Sequence, residues 1–335
     1  MNILFYCPFK FDLKNTRNKS LGGIETLNIE LCKELSKDNF KIYLATICKK
    51  TIKKYGLTNI PINYLSKKKN SFNFDIIVSS NEPNIFSQFK KSKKILWMHN
   101  PLNIEKSIRK KKILSILLNK ITAVFVSKYL MDRTSTFYLF YKKKVFPNFL
   151  FNNFLLKKIN TKRQPIFIWS VQRIKGLDRV IELWIKNINL NNKNARLYIF
   201  GINNYNYHIS KKNLNKYNIF FFGRVSKDQL RSIYNKSLAM ICLGYDETFC
   251  LNALEANSCG LPIITFGKTA LKNYSISNYN SIILKNFNDL ENKIFYLSSL
   301  DKRKKDALIK NSFNHSKKFR LNIISKLWIK LFKDI

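Results

Sequence analysis

The stretch Glu247–Ile264 reads ETFCLNALEANSCGLPII, and it carries two of the 20 acidic residues in this 335-residue chain. Glu247 and Glu255 are eight positions apart, which on a helix of about 1.5 Å rise per residue separates them by up to about 12 Å. A strand, a loop with one carboxylate and a helix with the other would direct both acids into one cleft. The alternative is a helix N-terminus, where Glu247 complements the dipole and Glu255 is solvated.

The length and composition favour two domains of ordinary size. A chain of 335 residues with 45% hydrophobic residues can form two cores of about 150 residues each. The six cysteines contain no Cys-x-x-Cys pair and there are three histidines, so we expect buried free thiols in a reducing compartment and no metal cluster. Residues 1–8 predict a first strand and not a signal peptide, and no apolar run is long enough to span a membrane.

The charge is strongly positive but evenly distributed. The net charge of +41 divides into +20 for residues 1–150 and +21 for the rest. Abundant Lys, Asn, Ile and Phe fit a base-composition bias of the gene as well as a selected surface. Such a charge attracts anionic lipids, nucleotides and nucleic acid alike, so it does not identify the partner.

Short apolar runs alternate with longer amphipathic segments, which is typical of parallel α/β sheets. In the first half we predict a helix from Gly23, and strands at 3–7, 42–46, 75–79, 95–98, 124–126 and 144–146. In the second half we predict strands at 166–169, 197–200, 219–222, 239–243, 262–266 and 282–284. Residues 148–165 have no clear period and would connect the halves.

This pattern predicts two doubly wound, Rossmann-like domains that face each other across a cleft. The first would span residues 1–155 and the second residues 156–318. Residues 319–335 would form a C-terminal helix that packs back on the first domain. Residues 226–229 have the spacing of a capping box.

Two polar groups follow predicted strands of the first half, at the edge where such sheets bind ligands. Gly22 and Gly23 open the first helix, where free amide groups favour a phosphate, although a plain tight turn has the same sequence. His99 follows a strand and either meets a substrate or is a satisfied structural histidine.

A third group lies in the second half. Arg173 and Lys175 stand beside Gly176 after the strand 166–169, and two cations at a helix start suit a diphosphate. In a chain this basic they are equally explained as solvated side chains. The glutamate pair is the fourth group, and its spacing is roughly that between the hexose and the ribose of a sugar nucleotide.

Taken together, these residues resemble the family 4 retaining glycosyltransferases of the GT-B fold. The resemblance rests on Gly22-Gly23-Ile24-Glu25, His99, Val126-Ser127-Lys128, Pro147-Asn148, Arg173-Ile174-Lys175-Gly176 and the block from Glu247 to Pro262. The pieces occur in the family's order over nearly the whole chain, and the last block is the specific one.

The resemblance implies transfer of a sugar from a UDP- or GDP-type donor to a glycan or lipid-linked acceptor, as in cell-surface polysaccharide or glycolipid synthesis. Arg173 and Lys175 would hold the diphosphate and Glu255 the ribose. Glu247 would contact the donor sugar and His99 would line its pocket. The remaining residues assigned to donor binding are Gly22, Gly23 and Leu251, and Gly23 would face the phosphates or the acceptor. The resemblance also implies that the first domain binds the acceptor and the second the nucleotide sugar.

The sequence departs from the family pattern at the basic pair, because Gln172 precedes Arg173 and Lys175 follows after one residue, which makes a shorter loop. None of the eleven aspartates forms Asp-x-Asp, which favours a mechanism without metal or other cofactor. Residues 104–121 predict a basic amphipathic helix, which either rests on an anionic bilayer or has a solvated basic face.

The expected location is the cytoplasm, with peripheral contact at the inner face of the membrane. Two other functions stay open: a basic nucleic-acid-binding protein, and a GT-B-fold partner subunit without transfer activity. The even charge distribution speaks against the first, and the short Arg173 loop is the feature that favours the second.

Overall fold

A computed structural model describes residues 1–14, 21–67, 72–172, 176–202 and 211–335. The chain divides into two compact units, one of residues Met1–Phe149 and Leu321–Ile335 and the other of Leu150–Arg320. The limits predicted from sequence were 155/156 and 318/319. The roles of the two domains in binding acceptor and donor stay predictions.

The first unit contains an eight-stranded sheet in the order β3-β4-β2-β1-β5-β6-β7-β8. Every neighbouring pair is parallel except β3 and β4, which are antiparallel. Its strands are β1 (Asn2–Tyr6), β2 (Lys41–Thr46), β3 (Ile52–Lys54), β4 (Leu57–Pro61), β5 (Ile76–Ser80), β6 (Lys93–Met98), β7 (Ile121–Phe125) and β8 (Lys142–Val145).

The central strands of this sheet are buried on both faces, as parallel strands usually are. All five residues of β5 and of β7 are buried. The edge strand β8 has the sequence KKKV and is exposed throughout. Its lysines discourage a further strand from pairing with this edge.

The second unit contains a six-stranded, wholly parallel sheet in the order β11-β10-β9-β12-β13-β14. Its strands are β9 (Ile166–Trp169), β10 (Arg196–Phe200), β11 (Ile219–Gly223), β12 (Ala239–Ile241), β13 (Ile263–Thr265) and β14 (Ser281–Ile283). The order reverses between β9 and β12, which is the switch point where such sheets bind ligands.

Helices alternate with the strands in both units. They are α1 (Gly23–Leu35), α2 (Ile62–Lys67), α3 (Ile104–Arg109), α4 (Lys112–Leu117), α5 (Lys128–Arg133), α6 (Leu177–Leu183), α7 (Asn189–Asn191), α8 (Lys211–Leu214), α9 (Lys227–Tyr234), α10 (Leu251–Ser258), α11 (Asp289–Ser299), α12 (Lys302–Ser316) and α13 (Leu321–Asp334). A π-helical segment at Trp184–Ile188 joins α6 to α7.

The C-terminal helix α13 belongs to the first unit and is anchored there by one tryptophan. The ring of Trp328 is 99% buried and contacts Phe5, Trp97 and Phe146, with ring-centre distances of 6.5, 5.0 and 5.4 Å. Aromatic pairs at these distances add to the stability that burial itself supplies. The last helix is therefore part of the first unit's core.

All twelve strands predicted from the sequence are present, with ends shifted by up to two or three residues. The predicted start of α1 and the capping box of Ser226 and Gln229 are also confirmed. Two strands were missed, because β3 and β4 form a short hairpin whose turn residues Tyr55 and Gly56 have φ of 57° and 74°. Such a turn normally has Asn or Gly at both positions, so Tyr55 concealed it.

The single amphipathic helix predicted for residues 104–121 is wrong. The segment forms α3 and α4, which are separated at Lys111, a residue with φ of 53°, and Ile121 is already the first residue of β7. A left-handed residue ends the helical hydrogen-bond ladder, so the segment is two short helices and not one long helix.

The cysteines are all free, but two of them are partly exposed, which corrects the expectation that all six are buried. Cys48 and Cys250 are the partly exposed pair, and Cys7, Cys32, Cys242 and Cys259 are buried. Within the described ranges, no helix is long and apolar enough to cross a bilayer.

Candidate functional site

The candidate site of the second unit centres on the loop between β12 and α10, which lies at the switch point of the sheet. The loop enters the helix through Cys250, whose φ of 63° and ψ of 73° make a sharp left-handed turn. The hydroxyl of Tyr274 donates to the carbonyls of Phe249 and Cys250 at 3.0 and 3.1 Å. This buried tyrosine holds a turn that a non-glycine residue adopts only at a cost.

Glu247 lies in this loop, four residues before the helix, and is partly buried. Its carbonyl accepts the N–H of Ala270 at 3.1 Å, which fixes the backbone. Burial raises the pKa of the Tyr274 hydroxyl, and the nearby Glu247 carboxylate adds to the rise. Glu247 is therefore a loop residue beside a packed tyrosine, and the alternative that places it in the first turn of the helix is excluded.

Glu255 lies in the middle of α10 and is 99% buried, so it is not the solvated helix residue of the alternative interpretation. The ammonium group of Lys227 donates to both carboxylate oxygens, at 2.5 and 2.7 Å. Burial raises the pKa of the Glu255 carboxyl, and the charge and hydrogen bonds of Lys227 oppose that rise. A buried acid with its own cation is a group whose charge the fold maintains.

Lys227 is the first residue of α9, next to the capping box of Ser226 and Gln229. A cation at a helix N-terminus opposes the helix dipole, so nothing local favours a lysine there. The side chain is 44% exposed and its ammonium lies 5.8 and 5.5 Å from the ring centres of Phe151 and Phe154. Lys227 is therefore the partly exposed partner of a buried carboxylate.

The end of β9 is tied to the same helix. The side chain of Asn252 donates to the carbonyl of Ser170, and the Ser170 hydroxyl is 2.7 Å from that of Tyr234. The segment that follows contains Arg173 and Lys175, which lie outside the described residues. The structure therefore does not test their positions, and their role in holding a diphosphate stays a prediction.

Leu251, the remaining predicted donor-binding residue of this unit, is the first residue of α10 and partly exposed. The N-terminus of an eight-residue helix points toward the loop that carries Glu247. Glu247, Leu251 and Glu255 thus lie on one continuous loop and helix, in the order the sequence predicts.

Two predicted residues of the first unit, Gly22 and Gly23, open α1. The Gly22 carbonyl accepts the N–H and the hydroxyl of Thr26 at 3.1 and 2.8 Å. A Cβ at Gly22 would approach only the carboxylate end of the flexible Glu25 side chain, so packing does not by itself require glycine at this position. Gly23 is exposed.

His99 follows β6 directly, as predicted, and is 96% buried. Burial lowers its pKa to about 3, so the ring is neutral at pH 7. Its Nε2 has no hydrogen-bond partner among the described residues. The β1, β5 and β6 strands are consecutive in the sheet, so His99 and the start of α1 share its carboxyl edge with β5 between them.

Asn81 positions His99 and was not predicted. Its side-chain oxygen accepts the backbone N–H groups of His99 and Asn100 at 2.8 and 3.3 Å, and its own φ is 58°. The Asn81 carbonyl accepts from the ammonium of Lys112 at 3.0 Å. The sequence did contain a signal for this residue, because asparagine adopts left-handed conformations more readily than most residues and Asn81 directly follows a strand. Lys227 had no such signal, because it is one of 61 basic residues.

Among the residues that the structure describes, no three His, Cys, Asp or Glu side chains are grouped as metal ligands. The prediction of a metal-independent reaction stays a prediction.

Comparison with known proteins finds one matching family model. Residues 152–315 match the family model of the glycosyl transferases group 1. A comparison with curated protein sequences finds no match.

Solved structures share the fold over the whole chain. Sucrose-phosphate synthase from Thermosynechococcus elongatus is 15% identical, with a TM-score of 0.75 and coverage of 99% of this chain and 98% of that one. WaaG, a glycosyltransferase of lipopolysaccharide biosynthesis, is 13% identical, with a TM-score of 0.68 and coverage of 98% and 99%. HepE from Anabaena, in complex with UDP and glucose, is 13% identical, with a TM-score of 0.69 and full coverage of both chains. The chain has the GT-B fold, and its residues 152–315 match the model of the glycosyl transferases group 1 family.

Proposed function

We propose that this protein transfers a sugar from a nucleotide-diphosphate donor to a glycan or lipid-linked acceptor, with retention of the anomeric configuration and without a metal ion. The observation that carries the proposal is the Glu255 carboxylate, which is buried in α10 of the family-matched segment and neutralised by Lys227. A carboxylate accepts two hydrogen bonds from a vicinal diol, which suits the ribose of a nucleotide.

The other predicted site residues of the second unit would bind the phosphates and the sugar of the donor. The N-terminus of α10 at Leu251 offers backbone N–H groups and the positive end of the helix dipole to a phosphate. Glu247, on the preceding loop, contacts the donor sugar. Arg173 and Lys175 neutralise the diphosphate as it leaves, which is the work that a metal ion performs in other transferases.

In the first unit, His99 contacts a sugar hydroxyl through its Nε2, and Gly22 and Gly23 receive the phosphates or the acceptor. The neutral ring and the unpartnered Nε2 of His99 support this role, because a buried polar atom without a partner is costly unless a ligand satisfies it. The exposed backbone at Gly23 lets a ligand approach the helix start.

The nucleotide of the donor is UDP or GDP. The HepE structures contain UDP and UDP-glucose, which supports UDP as the first choice. WaaG acts in lipopolysaccharide biosynthesis, which supports a cell-surface glycan or glycolipid as the product here. We place the enzyme in the cytoplasm.

Isothermal titration calorimetry with UDP and GDP tests this function. We expect one of them to bind below millimolar concentration. Lys175→Ala should weaken that binding at least about tenfold, because a hydrogen bond to a charged group contributes about 1.5–3 kcal/mol. Lys186→Ala, at an exposed lysine of the same unit, is the matched control and should bind as the wild type does. If neither nucleotide binds the wild type at millimolar concentration, the proposal is abandoned.

We further propose that α3 and α4 rest on an anionic membrane at its inner face. Five apolar side chains of these helices are exposed and four basic side chains lie beside them, an arrangement suited to a lipid surface. The exposed apolar residues are Ile104, Ile108, Leu114, Leu117 and Leu118, and the exposed basic residues are Lys106, Arg109, Lys110 and Lys111. Lys112, predicted on the same surface, instead pairs with Glu82 at 2.9 Å.

Flotation with vesicles of phosphatidylglycerol and phosphatidylethanolamine at physiological salt tests the membrane contact. The wild type should float with these vesicles and not with phosphatidylcholine vesicles. The variant with Leu114, Leu117 and Leu118 changed to Ser should float less, while Leu190→Ser, at an exposed leucine of the second unit, should float as the wild type does. Wild-type protein that stays at the bottom of the gradient contradicts the contact.

A further inference from the structure

Lys227 and Glu255 form an ion pair in which the two partners have very different surroundings. The Glu255 side chain is 1% exposed and that of Lys227 is 44% exposed. Both carboxylate oxygens accept from the one ammonium group, so the pair is aligned as well as neutral. A carboxylate this deeply buried would lose its charge without a partner, because burial penalises the charged form.

The local sequence gives no structural reason for a lysine at position 227. The capping box of Ser226 and Gln229 already satisfies the start of α9. A cation at the first helical position is disfavoured by the helix dipole. The lysine is therefore explained by what it faces on α10, and not by the helix it begins.

Resting on the proposed function of Glu255, we propose that Lys227 is a positioning residue for nucleotide recognition, which keeps the Glu255 carboxylate charged and oriented so that it accepts the ribose hydroxyls. Each carboxylate oxygen has two acceptor sites, and Lys227 uses one on each. The other acceptor sites take the two hydroxyl protons of the ribose. Lys227 thus sets the affinity for the donor without touching the transferred sugar.

Among the described residues, the other titratable groups near this carboxylate with a perturbed pKa do not change charge near neutral pH. Tyr234 of α9 is buried, and burial holds its pKa well above 10. Burial raises the pKa of Cys259, after α10, to about 12. Burial also lowers the pKa of Arg163 to about 10. A change of affinity between pH 6 and pH 9 on loss of Lys227 therefore reports on Glu255.

The test is calorimetry of UDP, or of GDP if that is the nucleotide bound, with wild type and Lys227→Met at pH 6, 7, 8 and 9. Lys227→Met should bind at least about tenfold more weakly at pH 6 and approach the wild type at pH 9, since its Glu255 must lose a proton before both carboxylate oxygens can accept. The ratio of the two affinities at each pH removes the titration of the phosphate itself.

Two further variants serve as controls. Lys227→Arg, which retains the charge, should restore most of the affinity at pH 6. Lys236→Met changes an exposed lysine just beyond the same helix and should leave the affinity unchanged at every pH. Circular dichroism of each variant at each pH confirms that the fold is retained.

The 2′,3′-dideoxy form of the same nucleotide separates this inference from the function on which it rests. If the wild type binds the dideoxy form as well as the parent, Glu255 does not hold the ribose and the proposed function is wrong at this residue. If the wild type prefers the parent and Lys227→Met keeps that preference unchanged at pH 6, the role of Lys227 is refuted. Tighter binding by Lys227→Met at all pH values would also refute it, because Lys227 would then be a competitor of the ribose.

Discussion

Glu255 and His99 are buried titratable side chains of the two different units, and their surroundings have opposite effects on their charge. Glu255 is given a cation, Lys227, at 2.5 and 2.7 Å, and its charge is maintained. His99 has no such partner among the described residues at its Nε2, and burial lowers its pKa to about 3. The comparison shows how a buried group is prepared either as a charged acceptor or as a neutral one.

The substitution Glu255→Gln tests the role of the charged group of this comparison most directly. The amide keeps the shape but removes the charge and one acceptor, so nucleotide affinity should fall about a hundredfold, or about 2.7 kcal/mol. Lys227 is partly exposed and regains water, so the fold should persist. Calorimetry measures the affinity, with Glu182→Gln, at an exposed glutamate, as the control. An unchanged affinity would remove Glu255 from the site.

Removing only the cation sharpens the comparison through the pH dependence of stability. In Lys227→Met the folded pKa of Glu255 should lie further above the unfolded value of about 4.3, since burial already raises it and Lys227 opposes the rise. The folded state then binds the proton more tightly, so stability is highest below the unfolded pKa and falls as pH rises toward the folded pKa.

The slope in that window is at most about 1.4 kcal/mol per pH unit for one group. Urea unfolding of Lys227→Met and wild type from pH 4.5 to 8.5 measures it. The variant should lose more stability with rising pH than the wild type does, and parallel curves would show that Lys227 does not control the charge of Glu255.

His99, the neutral group of the comparison, makes stability depend on pH in the opposite direction. The folded pKa of His99 is about 3, below the unfolded value of about 6.5, so its contribution is complete above pH 6.5 and is lost as pH falls toward 3. Between pH 7.5 and pH 5 this loss amounts to about 2 kcal/mol. His99→Gln should not show that part of the loss. Urea unfolding of the wild type and His99→Gln at the two pH values measures this difference. An equal loss of stability in both proteins would mean that the ring is not held neutral.

The smallest effect concerns what orients His99. Asn81→Gly keeps the left-handed conformation but removes the oxygen that accepts from His99 and Asn100, so the free energy of unfolding should fall by about 1 kcal/mol. Asn81→Asp retains an acceptor and should stay closer to the wild type. Thermal unfolding ranks the three proteins, and equal stability of the glycine and aspartate variants would contradict this role.

The sequence predicted regular elements well where a pattern was long or strongly apolar. The runs at β5, β6 and β9 are fully apolar at their centres, and only a buried parallel strand suits them. It failed at the hairpin of β3 and β4, where Tyr55 occupies a position that usually takes asparagine or glycine. It failed again at residues 104–121, where Lys111 breaks the helix although lysine is a good helix former.

For the site, the spacing of Glu247 and Glu255 and the place of His99 after a strand were readable from the sequence, because both follow from where parallel strands end. The positions of Arg173 and Lys175 stay predictions. Lys227 and Asn81 were missed for one physical reason: each acts on a residue that is distant in sequence, 28 and 18 positions away.

By itself the sequence determined the two α/β halves, the order of their strands along the chain and the residues that follow the strand ends, since periodicity and turn residues are local properties. Only the tertiary structure decided that Glu255 is buried against Lys227, that His99 is neutral, and that Trp328 is the side chain that anchors the last helix in the first unit. Burial and charge pairing depend on which distant elements pack together, and no local pattern records that.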